Sequence, residues 1–298
     1  MNPQFDVVAR LASAGKRYGQ VVALQGLDLD VRRGEVLALL GPNGAGKTTA
    51  ISLLTGLQQA DEGSATLFGA APGSPAARRR IGAMLQATSL PETLCVGELI
   101  DLFRSYYPHP RTVADIVALA GVADLLGRRY AKLSGGQQRR AQFALAICGR
   151  PELLFLDEPT TGLDIEARET MWRAIRRLAG EGCAVVLTTH YLEEAEALAD
   201  RVVVIARGRS VAAGSVAEIR ARVAQKRIRC LSALSRDAVA AWPAVRSVER
   251  DGDRIEIVTD QAESVVRQLL LEDAGLSELE VRRAGLAEAF VEITKEAA

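Results

Sequence analysis

A chain of 298 residues with 48% hydrophobic side chains is long enough for about two domains with buried cores. Lys plus Arg (37) equals Asp plus Glu (37), so no net basic field exists to recruit nucleic acid or an anionic membrane surface, and no nucleic-acid partner is expected. Cys95, Cys148, Cys183 and Cys230 lack C-x-x-C spacing and the histidines are only His109 and His190; this argues against a disulfide framework or a metal cluster, and the cysteines read as small buried hydrophobes.

The first residues, MNPQFDVVARL, lack a basic stretch followed by an apolar core, and no apolar run approaches ~18 residues. The chain is expected in the cytoplasm, with any membrane-spanning part supplied by another polypeptide. Up to about residue 224, short apolar strands alternate with helical patterns, the signature of a largely parallel sheet with covering helices. Val36 to Leu40 reads as a buried strand feeding GPNGAGKTT, with a helix from Lys47 to about Leu57. That loop fits G-x-x-x-x-G-K-[ST] and spans Gly41, Pro42, Asn43, Gly44, Ala45, Gly46, Lys47, Thr48 and Thr49. Pro42 and Asn43 fix the turn, and Gly44 and Gly46 permit close backbone approach. Backbone N–H groups surround phosphates, Lys47 reaches the β and γ phosphates, and Thr48 offers a hydroxyl to Mg²⁺. The helix N-terminus adds partial positive charge at the same place.

Arg78 to Arg80 read as a solvated face before a strand that ends near Gln86. Val96 to Tyr107 and Thr112 to Ala120 carry apolar residues at helical spacing around Pro108, His109 and Pro110, which suggests a helical insert. Ser134 and Gln137 form the S-x-x-Q capping box of a helix start, and Gly135 and Gly136 behind the cap expose N–H groups that could also hold an anion. Leu153 to Leu156 reads as a buried strand that delivers Asp157 and Glu158 into the crevice. Alternation along an extended chain would aim one carboxylate at a metal and the other at water. Asp164 is most simply the N-cap of the helix containing Met171, Trp172 and Ile175. Ala184 to Leu187 is a third apolar strand, with His190 just beyond it. Ligands collect at the carboxyl ends of such strands, so Lys47 with Thr48, Asp157 with Glu158, and His190 point to one site.

From about Lys226 the pattern becomes strand (Arg227 to Leu231), helix (Arg236 to Ala241), strand (Val245 to Glu249), strand (Arg254 to Val258), helix (Gln261 to Asp273) and strand (Glu278 to Arg282). Asp251-Gly252 marks a hairpin between the middle strands. The order is that of a split βαβ, ferredoxin-like unit, followed by a helix from Leu286 to Thr294. It carries no catalytic constellation and reads as a dimerisation or regulatory appendage.

With GPNGAGKTT, LSGGQQRR (Leu133 to Arg140), the Asp157–Glu158 pair, TGLD and His190 in this order, the chain resembles the ATP-binding subunit of an ATP-binding cassette (ABC) transporter over residues 5 to 224. The resemblance implies an α/β P-loop ATPase domain at 1–224 with a helical subdomain at about 90–150, and a small α+β accessory domain at 225–298. ATP and Mg²⁺ would be the ligands. Tyr18, which alone reads as a half-buried aromatic, would stack on adenine. Thr48 and Gln86 would meet Mg²⁺, Gln86 also sensing the membrane subunit. Asp157 would sit near Mg²⁺, through the hydroxyl or a water, and Glu158 would polarise the attacking water. His190 would contact the γ-phosphate. Ser134 and Gly136, within the Ser134–Gln137 signature, would contact the γ-phosphate held by a second copy, with Asp164 acting across the dimer interface. The helical subdomain would touch an integral membrane permease encoded separately, placing the chain on the inner face of the cell membrane. RRYAK before LSGGQ lacks the glutamate-bearing sequence of exporters with fused domains, and together with the ending GLAEAFVEITKE this suggests the ATPase of an ABC-2-type exporter of drugs, lipids or polysaccharides. A single cassette disfavours a translation ATPase, and the short spacing without heptads disfavours a DNA-repair ATPase. The remaining alternative is a non-transport regulatory ABC-type ATPase module. The transported substrate is unreadable because the recognising cavity belongs to the membrane protein.

Overall fold

A computed structural model describes residues 6–86, 89–221, 226–283 and 285–296. The chain divides into two compact units, one running through Val216 and taking in the chain again from Thr294, the other spanning Ala217–Ile293. The boundary expected between residues 224 and 225 lies outside the described residues.

The first unit opens with β1 (Val7–Tyr18), β2 (Val21–Arg32) and β3 (Val36–Leu40), followed by α1 (Lys47–Leu54) and β4 (Glu62–Leu67). Next come α2 (Pro75–Arg78), β5 (Ile81–Met84), α3 (Val96–Ser105), α4 (Val113–Ala120) and α5 (Gly135–Ala146), then β6 (Leu153–Asp157) and α6 (Ile165–Gly180). β7 (Ala184–Thr188), α7 (Leu192–Leu198), β8 (Arg201–Ala206) and β9 (Arg209–Gly214) complete the run, and α8 (Val216–Ala221) begins in this unit at Val216 and continues into the second unit. The main sheet has the order β5-β6-β7-β3-β8-β9, parallel except for β9.

Every residue of β3, β6 and β7 is buried, because both sheet faces are covered and the strands read as continuous apolar runs. Alternation sorts them into two cores. Leu37, Leu39, Phe155 and Val186 join Ile51 and Leu54 of α1 on one face; Val36, Leu154, Leu156, Val185 and Leu187 join Phe143 of α5 with Ile175 and Leu178 of α6 on the other. At about 1.5–3 kcal/mol per buried large side chain, this double burial is what holds the strands together.

The sequence expectation misses a second sheet, the antiparallel β2-β1-β4. β1 carries register shifts against β2 and leaves polar residues such as Lys16 and Arg17 among its apolar ones, so neither period is clean along it. The expected helix to Leu57 stops earlier, at Leu54, where Thr55 caps it and Gly56 turns the chain at φ 71°. Arg80 also departs from the solvated face expected of it. Its guanidinium lies 3.7 Å from the Phe68 ring and grips Glu152 through two bonds, Nε to Oε1 (2.6 Å) and Nη2 to Oε2 (2.9 Å). Arg33 adds a third bond to Glu152 Oε2 at 3.1 Å.

The second unit contains β10 (Lys226–Leu231), α9 (Arg236–Ala240), β11 (Val245–Asp251), β12 (Arg254–Thr259), α10 (Ala262–Glu272), β13 (Ser277–Arg283) and α11 (Leu286–Glu296) as far as Ile293. Its antiparallel sheet has the order β11-β12-β10-β13, the split βαβ arrangement. Gly252 at φ 59° turns the hairpin between β11 and β12.

Arg80 first, and then Arg33, hold the Glu152 carboxyl below the usual carboxylate range against the opposing effect of burial. Its stabilisation is therefore complete above the unfolded carboxylate pKa and lost as pH falls through the depressed folded value. Glu152→Gln should cost about 1 kcal/mol at pH 7, discounted for the partial exposure of the pair, and the gap from wild type in urea unfolding should narrow below pH 4. A second outcome concerns the thiols. Burial pushes Cys148 and Cys183 up to about 12 and Cys230 also upward, whereas Cys95 is part-exposed at the head of α3, contrary to the expectation for all four. At pH 8 a thiol reagent should titrate one cysteine quickly in the native chain and the other three only on unfolding.

Candidate functional site

β7 lies between β6 and β3, and the parallel ladder pairs Thr188 with both Leu39 and Asp157. The carboxyl ends of the three strands therefore finish at one level. The chain leaves β3 through Gly41, where a side chain would collide with the Ile205 carbonyl, and enters α1 through Gly46 at φ 109°, where a Cβ would lie 2.6 Å from Ala23 O. The close approach that needs Gly46 is thus to β2 of the same chain. Gly46 is the N-cap of α1 and gives no side-chain cap, so the first-turn N–H groups remain available to an anion.

A cavity of about 780 Å³ lies over this loop, within the roughly 300–1,000 Å³ range of small-molecule sites. Asn43, Gly44, Ala45, Gly46, Lys47, Thr48 and Thr49 line it together with Tyr18, Gln86, Asp157, Glu158 and His190. Gly41 and Pro42 instead present their carbonyls to Lys47 Nζ, at 2.7 and 3.1 Å. Burial lowers the Lys47 pKa, while Glu158 and Asp157 act in the opposite direction. Tyr18 ends β1 with its ring exposed, and Lys16 Nζ lies 5.8 Å from the ring centroid.

Asp157 is buried and Thr188 Oγ1 donates to its Oδ1. Its Oδ2 is buried without a hydrogen-bond partner among the described residues. Among the described residues no group of three or more His, Cys, Asp or Glu side chains could hold a metal ion. One unpaired carboxylate oxygen on Asp157, which lines the same cavity as Thr48 and the phosphate loop, instead suits Mg²⁺, which takes few protein oxygens and completes its shell from phosphates and water.

Glu158 departs from the extended alternation expected of it: its φ is 50°, a left-handed conformation costing on the order of 1–2 kcal/mol. Two bonds hold this turn, Glu158 N donating to Thr188 O (3.0 Å) and to Thr188 Oγ1 (3.2 Å). The Glu158 carboxylate meets His190 and Gln86. Its Oε2 lies 3.4 Å from His190 Nδ1 and 3.5 Å from Gln86 Nε2. Gln86 lies two residues beyond the end of β5.

The second glycine-rich element lies elsewhere. Ser134 caps α5 by accepting from Gln137 N (3.3 Å), and Gln137 Oε1 accepts from Ser134 N (3.0 Å), completing the capping box. Ser134, Gly136 and Gln137 line a separate cavity of about 390 Å³ with Asp164, which caps α6 through Ala167 N at 2.8 Å. A third cavity, about 900 Å³, is lined by Ser134, Gly135 and Gly136 and by Gln86. Neither signature cavity includes Lys47 or Glu158. Thr188 is the site residue that sequence reasoning missed; its only sequence signal is its place at the end of β7, two residues before His190.

A phosphate loop between β3 and α1, with an acidic pair at the end of a neighbouring parallel strand, defines the class as a P-loop nucleotide-hydrolysing fold. Residues 24–161 match the family described as ABC transporter. The chain is 38% identical to the daunorubicin resistance ATP-binding protein DrrA3 of Streptomyces coeruleorubidus, over 97% of this chain and 96% of that protein. It is 41% identical to the Nod factor export ATP-binding protein I of Burkholderia orbicola over 67% of this chain and 68% of that protein. Among solved structures, the ATP binding subunit of an ABC transporter shares 27% identity at a TM-score of 0.66, covering 72% of this chain and 92% of that one. A bacterial ABC transporter cassette solved as a dimer shares the fold at a TM-score of 0.64 and 23% identity, covering 70% and 98%. The chain belongs to the ATP-binding subunits of ABC transporters and is an ATP hydrolase of that class. No helix among the described residues is long and apolar enough to cross a membrane.

Replacing Thr188 by Val keeps the shape and removes the hydroxyl that Asp157 accepts from. It should lower stability by about 1–3 kcal/mol and reduce ATP turnover, while Thr188→Ser preserves both. Equal urea midpoints for Thr188→Val and wild type would show that the bond does not hold the acidic pair.

Proposed function

We propose that this chain is the ATP-hydrolysing subunit of an ABC-2-type exporter and acts as a homodimer with a separately encoded membrane permease on the inner face of the membrane. The observation that carries the dimer is the separation, within one chain, of the Lys47–Glu158–His190 cavity from the one lined by Ser134, Gly136 and Asp164. Two copies facing each other with opposite polarity would bring the signature cavity of each to the phosphates of the other. Each ATP would then be enclosed by both chains, and closure and reopening would drive the permease. The drug-resistance and Nod factor export roles in the relatives' names support export as the direction.

In this reading the phosphate chain of ATP lies along the N–H groups of Gly44 to Thr49, with Lys47 on the β and γ phosphates. Tyr18 faces the adenine. Thr48, Asp157 and Gln86 would hold Mg²⁺. Mg²⁺ bound there would neutralise charge on the phosphate oxygens. Glu158 takes a hydrogen bond from the attacking water and polarises it towards the γ-phosphorus. His190 and Gln86, both on Glu158 Oε2, orient the carboxylate, and His190 reaches the γ-phosphate. The domain through residue 224 carries this chemistry, and the split βαβ domain from 225 onward is an accessory to assembly or regulation.

Glu158→Gln should retain ATP binding, lower turnover by about 10²- to 10⁴-fold and accumulate an ATP-bound dimer in sedimentation. Turnover at the wild-type rate would exclude Glu158 as the group that polarises water. Copurification of an integral membrane protein with the full chain tests the transport assignment, and recovery of no such partner from membranes would favour a regulatory ATPase module.

A further inference from the structure

The capping box at the start of α5 has a third member. Arg128 Nη1 donates to Gln137 Oε1 at 3.0 Å, the oxygen that also accepts from Ser134 N at 3.0 Å. A carbonyl-type oxygen has two lone pairs, and both are taken by donors that carry no acceptor. The amide of Gln137 is therefore forced into one orientation. Its Nε2 group has no hydrogen-bond partner among the described residues, and Gln137 lines the cavity of about 390 Å³ with Ser134, Gly136 and Asp164. The guanidinium is itself anchored, since Arg128 Nη2 donates to Lys132 O at 3.1 Å. The backbone of Arg128 is fixed as well: its N donates to Leu125 O (2.8 Å) and its carbonyl accepts from Val96 N (3.0 Å), at the first residue of α3.

We infer that Arg128 is a positioning residue for ATP enclosure: by occupying Gln137 Oε1 it presents Gln137 Nε2 as a fixed donor to the nucleotide held by a second copy of this chain. The inference rests on the composite-site reading above. Without the guanidinium, the amide of Gln137 keeps one backbone donor and can rotate, and each dimer must order it anew. Arg128 also joins the start of α3 to the signature loop, so a shift of that helix reaches Gln137 directly.

The test uses the full chain in a Glu158→Gln background, with ATP-dependent dimerisation followed by sedimentation equilibrium and ATP binding by the monomer followed with a fluorescent ATP analogue. Arg128→Ala should raise the dimer dissociation constant about tenfold, the size of one charge-assisted hydrogen bond, and leave the analogue affinity of the monomer within twofold. Because Arg128 acts through Gln137, the same substitution made in Gln137→Ala should add nothing. An equal factor in the Gln137→Ala background, or a loss of analogue binding by the monomer, would overturn the inference. Dimerisation unchanged by Arg128→Ala would overturn it too. A Glu158→Gln chain that binds ATP and stays monomeric at saturation would defeat the composite-site reading and the inference with it. A Glu158→Gln dimer weakened by Gln137→Ala but not by Arg128→Ala would defeat the inference alone.

Discussion

The parallel ladder that sets Thr188 beside both Leu39 and Asp157 is the constraint on which the rest of the site depends. A slip of one residue would turn every side chain of β7 to the opposite face, exchanging the two cores and carrying the Thr188 hydroxyl away from Asp157. The register is held because both faces of β3, β6 and β7 are buried, so no alternative pairing keeps their apolar side chains out of water. From that level the chain starts the phosphate loop on one strand and presents the acidic pair on another.

Electrostatic tension follows from this placement. Lys47 is partly desolvated and its charge is disfavoured by burial, yet Asp157 and Glu158 lie near enough to favour it. The Lys47 ammonium is held by the carbonyls of Gly41 and Pro42, and neither carboxylate forms an ion pair with it among the bonds described. Among the described residues no donor meets the buried Oδ2 of Asp157, an arrangement that costs stability and becomes favourable with a cation. Thr188 manages both acidic residues: its hydroxyl donates to Asp157 Oδ1 and accepts from Glu158 N, and its carbonyl also accepts from Glu158 N to hold the left-handed turn.

The signature element obeys a different logic. Its capping box would stabilise α5 in any helical protein, and the local contacts around Ser134 and Gln137 are complete within a few residues. What makes it more than a cap is Arg128, which reaches the same amide oxygen from nine residues earlier and ties it to the start of α3. A helix cap has thereby become part of a network spanning the helical insert.

The apolar runs Val36–Leu40, Leu153–Leu156 and Ala184–Leu187 are legible in the sequence because four or five consecutive apolar residues are a local signal, and the last two strands each extend one polar residue further, to Asp157 and Thr188. Also legible are the phosphate loop, the Ser134 and Asp164 caps and the βαββαβ order of the second unit, each set by residues at most a few positions apart. Only the tertiary structure decided the antiparallel β2-β1-β4 sheet, the Arg80–Glu152 clamp across 72 residues, the Thr188–Asp157 bond across 31 and the turn of Glu158. The physical reason is range. Propensity, capping and hydrophobic period act between neighbours along the chain, whereas a hydrogen bond between strand ends, or a left-handed residue held by a carbonyl of another strand, exists only once burial has brought those strands together.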